Sequence, residues 1–303
     1  MKKHYFLLII LLYAFTANAQ QDPQYTQYMY NMNVINPAYA GSADGLGVGI
    51  LYRSQWEGLD GAPETSTFNI HTPIGNNVGL GLSIISDQIG PVKETNAYVD
   101  FSYTLNLANE NRLAFGLKAG LTAHDIGLIG LTLIDPNDPF FANDISEMTP
   151  NVGAGMYFYK PNKYYVSVSI PNILNSVHLD AEDYNIGSET QHLFAATGYV
   201  FDLSNDFKLK PHAFLKYTSE SPASLDLNAN LFMYNLIELG VGYRLDAAMT
   251  AMVNLQLTPS MRIGYAYDSV QSELNFIAKS SHEIFINFDL NFNTKVSRSP
   301  RYF

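Results

Sequence analysis

The sequence predicts an all-β fold, a transmembrane outer-membrane β-barrel of about fourteen antiparallel strands with an N-terminal plug segment in its lumen. Three observations predict it. Apolar residues alternate with Gly and small polar residues at period two along most of the chain. The lengths of the connections between the alternating segments sort by parity. The composition, finally, fits neither a soluble domain nor a helical membrane protein: 47% of the 303 residues are hydrophobic and only 15% charged, with a mean hydropathy of −0.04. A soluble domain carries about a quarter charged residues, and spanning helices need runs of about 20 apolar residues. An aromatic content of 13% supplies too much burial surface for disorder. The net charge of −11 excludes a nucleic-acid surface built from Lys and Arg, and with no Cys there is no disulfide, thiolate metal site or thiol nucleophile.

In chain order, residues 1–19 read as a secretory signal peptide. Lys2, Lys3 and His4 precede an apolar run from Tyr5 to Phe15, too short to span a bilayer, and Ala17-Asn18-Ala19 has the small-x-small cleavage pattern. Residues 20–43 are rich in Gln, Asn, Tyr and Met and do not alternate, so they cannot face lipid. Tyr25, Tyr28, Met29, Tyr30, Met32, Val34, Ile35 and Tyr39 give them more apolar surface than a solvated tail carries. Folding into the lumen, where amides and phenols can satisfy a polar wall, is the better reading.

The barrel itself covers 44–292, leaving 293–303 as a periplasmic tail. Its segments run 44–54, 65–73, 76–87, 92–107, 111–126, 147–160, 163–171, 188–202, 206–219, 222–236, 237–245, 247–257, 258–269 and 281–292. Within one of them Ile237, Leu239, Val241, Tyr243 and Leu245 oppose Glu238, Gly240, Gly242 and Arg244; within another Leu113, Phe115, Leu117, Ala119 and Leu121 oppose Ala114, Gly116, Lys118 and Gly120. The apolar face is nearly free of charge, as a lipid-facing wall must be when a midplane charge costs about 2–4 kcal/mol. The other face mixes Gly with Arg53, Asp100, Lys118, Asp226, Glu238, Arg244, Arg262, Asp268 and Asp289. Charges of both signs on that face predict a lumenal ion-pair network anchoring the plug, because an unpaired charge in a dry interior is costly. Gly41–Gly47 with Arg53, Lys118, Arg244 and Arg262 also suit substrate binding, a less economical reading.

With both wall ends in the periplasm, odd-numbered connections are surface loops and even-numbered ones tight turns. The long connections 55–64, 127–146, 172–187 and 270–280 all have surface parity, and the tight ones, such as Ile74-Gly75 and Pro161-Asn162, have the opposite. Closure follows because hydrocarbon offers no hydrogen bonds to an open sheet edge. Tyr52, Tyr103, Phe158, Tyr164, Tyr199, Phe201, Tyr217 and Phe292 at segment ends are expected in the interfacial aromatic girdles.

Gln24-Tyr25-x-Gln27-Tyr28, Asn36-Pro37-Ala38-Tyr39-Ala40-Gly41 and Tyr52-Arg53-Ser54-Gln55-Trp56 followed by Gly61-Ala62-Pro63 resemble the PorP/SprF family of type IX secretion system membrane proteins of Bacteroidetes. Further matches fall at Gly79-Leu80-Gly81, Asp87–Gly90, Glu238–Arg244, Arg262-Ile263-Gly264-Tyr265-x-Tyr267-Asp268 and His282-Glu283-Ile284, spanning nearly the whole mature chain. The resemblance implies an outer-membrane barrel required for gliding motility or protein secretion. It implies as partners a large secreted adhesin or other cargo, docked by its C-terminal domain at the cell surface, and periplasmic, peptidoglycan-linked components.

Catalytic chemistry has little support in the residues. The histidines at 4, 71, 124, 178, 192, 212 and 282 show no metal spacing, and no Ser/His pair is marked by a nucleophile elbow. Asp135, Asn137, Asp138, Asn143 and Asp144 offer oxygen ligands for Ca²⁺ but lack the glycine and terminal glutamate of an EF-hand loop, so a solvated acidic loop is the simpler reading. No cofactor and no enzymatic activity are expected. The lone Trp56, in the first surface loop, suits either a membrane-edge anchor or a partner contact. The expected function is cargo docking at the outer membrane. The alternative is a porin-like transport barrel for small solutes, which needs an open lumen.

Overall fold

The computed structural model describes residues 23–130, 143–174, 177–181, 184–188, 191–219, 221–271 and 276–291. The expected signal peptide, Asp135, Asn137 and Asp138 of the acidic loop, Phe292 and the 293–303 tail lie outside them.

Alternating residues place side chains on opposite faces of a pleated strand, and here every long alternating segment is one. The wall strands are β1 (Leu46–Ser54), β2 (Glu64–Ile74), β3 (Val78–Ile89), β4 (Val92–Asn106), β5 (Arg112–Ile126), β6 (Ile145–Lys160) and β7 (Tyr164–Ile170) in the first half. They continue, after a hairpin of β8 (Val177–Ala181) and β9 (Tyr184–Ser188), with β10 (Leu193–Tyr199) and its short extension β11 (Phe201–Asp202). The last six are β12 (Phe207–Tyr217), β13 (Ser224–Met233), β14 (Ile237–Arg244), β15 (Ala248–Thr258), β16 (Met261–Val270) and β17 (Ser280–Leu290). Each pairs antiparallel with its sequence neighbour in the wall. Leu46 opposite Leu290 joins β1 to β17 and closes the sheet, and β10 bridges β7 to β12. Counting β10 and β11 as one strand interrupted at Val200, the closed wall has 14 strands, as the alternation predicts.

The segment expected at 188–202 is the one that shifts. Residues 184–188 pair with 177–181 inside the connection, so the wall resumes only at Leu193. The 172–187 connection is therefore not plain loop but carries a hairpin of its own. Alternation could not separate these strands, since a hairpin within the connection has the same period as the wall.

The outward face is apolar and exposed. Leu117, Val241 and Met249 are each more than half accessible, whereas their neighbours Lys118, Gly240 and Thr250 face the interior or are buried. Such a surface is unfavourable in water and favourable against hydrocarbon. Tyr103, Tyr199 and Phe201 lie exposed toward the tight-turn end of the wall, Tyr52 and Tyr217 toward the long-loop end. Tyr164 stacks on Tyr199 at 6.2 Å, and Tyr199 packs on Phe201 at 4.5 Å.

The core of the molecule is lumenal. Residues 25–40 are almost entirely buried and fold as single turns, Tyr28–Tyr30, Met32–Ile35 and Pro37–Tyr39. Asn36 starts the last of these, its side-chain oxygen accepting from the Ala38 N–H at 2.9 Å, and Pro37 supplies the fixed φ of a first helical position. Tyr28, Met29, Met32 and Ile35 join Leu51, Tyr98, Tyr157, Tyr165, Phe214 and Phe285 of the wall in one buried cluster. Glycine lets backbones meet there: a Cβ on Gly116 would stand 2.1 Å from the Ala38 nitrogen.

Candidate functional site

The lumenal segment is held at successive polar stations, each supplied by inward positions of the wall. Nearest the long loops, Glu283 of β17 accepts the backbone N–H groups of Thr26 and Gln27 at 2.8 and 2.7 Å. The Thr26 hydroxyl donates to Asp268 at 2.6 Å and accepts from Arg53 Nη1 at 2.8 Å. Arg53 also pairs with Asp268 at 2.8 Å and Glu283 at 3.3 Å. Arg244 grips Asp226 through Nε and Nη2 at 2.8–3.0 Å and approaches Asp268 at 3.6 Å. These five charged side chains are buried, a costly arrangement unless every partner is present.

Toward the tight-turn end the chain descends to Tyr30. Its hydroxyl donates to Glu238 and accepts from Lys210 Nζ at 2.8 Å. Lys210 is ion-paired with Glu238, which also accepts from Asn230 and Asn254 at 2.7 and 3.1 Å. The Tyr30 ring stacks on Phe285 at 4.9 Å, and the Arg262 guanidinium lies 4.9 Å from its centroid, within cation–π range. Asn287 donates to the Tyr30 carbonyl at 2.9 Å.

Between these ends, Lys118 donates to the Val34 carbonyl at 2.8 Å and lies 3.6 Å from Asp100, which accepts from Asn33 at 3.3 Å. Asn36 donates to Ser167 Oγ and the Met156 carbonyl at 2.7 and 2.9 Å, and Ser169 donates to the Ile35 carbonyl at 2.9 Å. The chain then leaves toward β1, with Ser102 donating to the Ala40 carbonyl at 2.5 Å and Gly41, at a φ of +70°, passing against Gly79.

The residues singled out from the sequence thus distribute as follows. Tyr25 is buried in the core cluster, and Gln24 is half-buried beside it in sequence. Tyr28 stacks on Phe214 at 4.6 Å and accepts from Asn228 at 3.3 Å. Tyr39 meets His71 and Tyr157 edge-on at 5.3 and 5.4 Å. Arg53, Asp226, Arg244 and Asp268 come together near the loops, Asp100 and Lys118 pair midway, and Glu238 and Arg262 meet around Tyr30. Asp289 lies at the tight-turn end, lining with Arg262 a cavity of about 40 Å³ beneath Tyr30. Lys210 and Glu283 were not among the lumenal charges expected from the alternation, although both occupy the inward register of their strands. Lys210 shares it with His212 and Phe214, and Glu283 with Phe285 and Asn287.

The first surface loop is tied back to β17. The N–H of Trp56, whose φ is +52°, donates to Ser281 Oγ at 3.1 Å, and the N–H of Glu57 donates to the Ser280 carbonyl at 2.8 Å. The Glu57 carboxylate accepts from Ser280 Oγ at 3.0 Å and lies 3.1 Å from His282 Nε2. Hydrogen bonds from His282 and then Ser280 hold this carboxyl below its ordinary pKa of 4.5. In the acidic loop, Asp144 accepts from the Ile129 N–H at 3.0 Å.

Residues 17–288 match the family model described as Type IX secretion system membrane protein PorP/SprF. The chain belongs to that family. A closed barrel with an apolar outer wall, in a family of membrane proteins, is an outer-membrane protein. None of the curated proteins matches the chain. Among solved structures it is similar to the outer membrane protein Omp33 of Acinetobacter baumannii, at 10% identity over 81% of this chain and 98% of that one, with a TM-score of 0.49. A FadL homologue of Pseudomonas aeruginosa is similar at 10% identity over 91% and 96%, TM-score 0.48. The CymD monoaromatic hydrocarbon channel is similar at 12% identity over 81% and 87%, TM-score 0.48.

Proposed function

We propose that this PorP/SprF member is a non-enzymatic docking barrel of the type IX secretion and gliding apparatus. Its long loops hold the C-terminal domain of a secreted adhesin or other cargo at the cell surface, and its tight-turn face meets periplasmic, peptidoglycan-linked components. Residues 20–43 act as a plug, and the ion pairs of the lumen anchor it. The supporting observation is that residues 25–40 are buried against the inner wall and bonded to it near both ends of the barrel. Beside them, the cavities under Tyr30 and around Tyr25 each measure about 40 Å³, room for about three waters. Such a lumen suits a rigid anchor better than a transport path. Trp56, half-buried on a loop tied to the barrel by the Glu57 contacts, is assigned as a cargo contact.

The test is gentle solubilisation of a tagged chain from cells expressing a type IX cargo. Docking predicts that the cargo's C-terminal domain copurifies, and that it is lost when 55–63 is replaced by a short turn. Recovery of the barrel alone contradicts docking. An activity abolished by one Ser or His substitution would contradict the non-enzymatic assignment.

A further inference from the structure

The path of the lumenal segment has a direction. Its exit is at the tight-turn end: Ala40 is bonded to Ser102, which lies near the turn-side end of β4 at Asn106, and Gly41 packs on Gly79, beside the turn-side start of β3 at Val78. Its other end is at the opposite rim. Pro23 borders a cavity lined by Lys118 of the mid-wall and, toward the loops, by Ile85, Glu94, Pro171 and Asn172. Glu94 lies two positions into β4 from the loop side, Ile85 nears the loop-side end of β3, and Pro171 directly follows the loop-side end of β7. The stations between agree. Thr26 binds Asp268 and Glu283, both close to the loop-side ends of β16 and β17, whereas Tyr30 binds Lys210 and Glu238, both close to the turn-side starts of β12 and β14.

In an outer-membrane barrel the tight turns face the periplasm and the long loops the exterior. We infer that the chain is threaded through its own barrel, so that the Pro23 end of the segment opens at the cell-surface mouth and forms part of the face presented to a docked polypeptide. The docking half rests on the function proposed above; the threading half does not. A segment entering from the periplasm as a simple stopper would have its Pro23 end below, at the level of Asp44. Here that end lies among the surface loops, and the buried Thr26 station next to it fixes it there: two backbone N–H groups on one carboxylate and a hydroxyl shared between Arg53 and Asp268 leave Pro23 little room to turn back. The mouth is then lined by the Pro23 end of the lumenal segment as well as by the loops.

The absence of cysteine makes the test clean. Single-cysteine variants Pro23→Cys, Asp60→Cys in the first surface loop, and Asp44→Cys and Asp206→Cys at the turn end are treated on intact cells with a membrane-impermeant maleimide, each first shown to migrate as a folded, heat-modifiable barrel. Threading predicts labelling of Pro23→Cys and Asp60→Cys on intact cells, and at least a tenfold rise for the other two only after the outer membrane is permeabilised. Labelling of Pro23→Cys only after permeabilisation, or not at all, overturns the inference. An epitope inserted directly before Pro23 and read by antibody on intact cells gives the same answer without a cysteine, and a periplasmic epitope overturns it equally. Coexpressed cargo separates the two halves. Protection of both Pro23→Cys and Asp60→Cys supports a shared face, protection of Asp60→Cys alone overturns the part assigned to Pro23 while leaving docking intact, and protection of neither refutes the docking reading and with it that part, the threading being read from the first arm.

Discussion

Glu283 anchors the loop-side station of the lumenal segment. It accepts two backbone N–H groups and pairs with Arg53, all out of contact with solvent. Glu283→Ala strands both backbone donors and removes one of the two carboxylates paired with Arg53, a loss on the order of 3–5 kcal/mol, and the thermal unfolding midpoint of the detergent-solubilised barrel is expected to fall accordingly. Asp289→Ala, at a half-buried position beside a cavity, should change that midpoint by much less. The Glu57 tether gives a prediction in pH. A carboxyl whose pKa is lowered on folding stabilises the folded arrangement above its ordinary value and loses that contribution as the pH falls below it. Loop order around Trp56 is therefore expected to persist above pH 4.5 and weaken in more acid solution. As the only tryptophan, Trp56 reports this by its fluorescence, and Glu57→Gln should abolish the acid transition. At this scale the sequence revealed charges but only some of their partners. Inward registers identified Arg53, Asp226, Arg244 and Asp268, yet Glu283 stood in a polar run where neighbouring Ser280, Ser281 and His282 obscured the alternation, and Lys210 stood among other lysines. Which charges meet depends on the shear of the closed sheet, a property no single strand displays.

The lumenal segment is the element on which the account turns. Its turns are too short to be stable by helical propensity, so the wall holds its shape. Gly116 is the clearest contact: a larger side chain there must displace the backbone at Ala38. Gly116→Val is expected to destabilise the segment by about 1–3 kcal/mol and to raise protease cleavage within residues 23–43 at temperatures where the wall remains intact. Leu117→Val, one position along on the lipid face, should have no such effect. The sequence marked this segment by the lack of alternation combined with many aromatics, which excluded lipid exposure and made burial the economical alternative. It gave no hint of the path, because contacts such as Thr26 with Glu283 join residues at opposite ends of the chain.

At the scale of the whole molecule, strand number and closure were legible because lipid and lumen impose opposite chemistries on alternate residues, and loop parity counted the strands independently. The exceptions are local. The β8–β9 hairpin and the pause at Val200 repeat the wall's period without extending it. A closed wall of this kind suits a porin and the proposed docking barrel alike, so what divides the two readings is whether the lumen conducts. Single-channel recording in planar bilayers measures this directly. The full chain is expected to show no steady conductance, and a chain lacking residues 23–43 is expected to open a path through the same wall. Steady ohmic conductance from the full chain would contradict the account, placing the barrel among transport proteins.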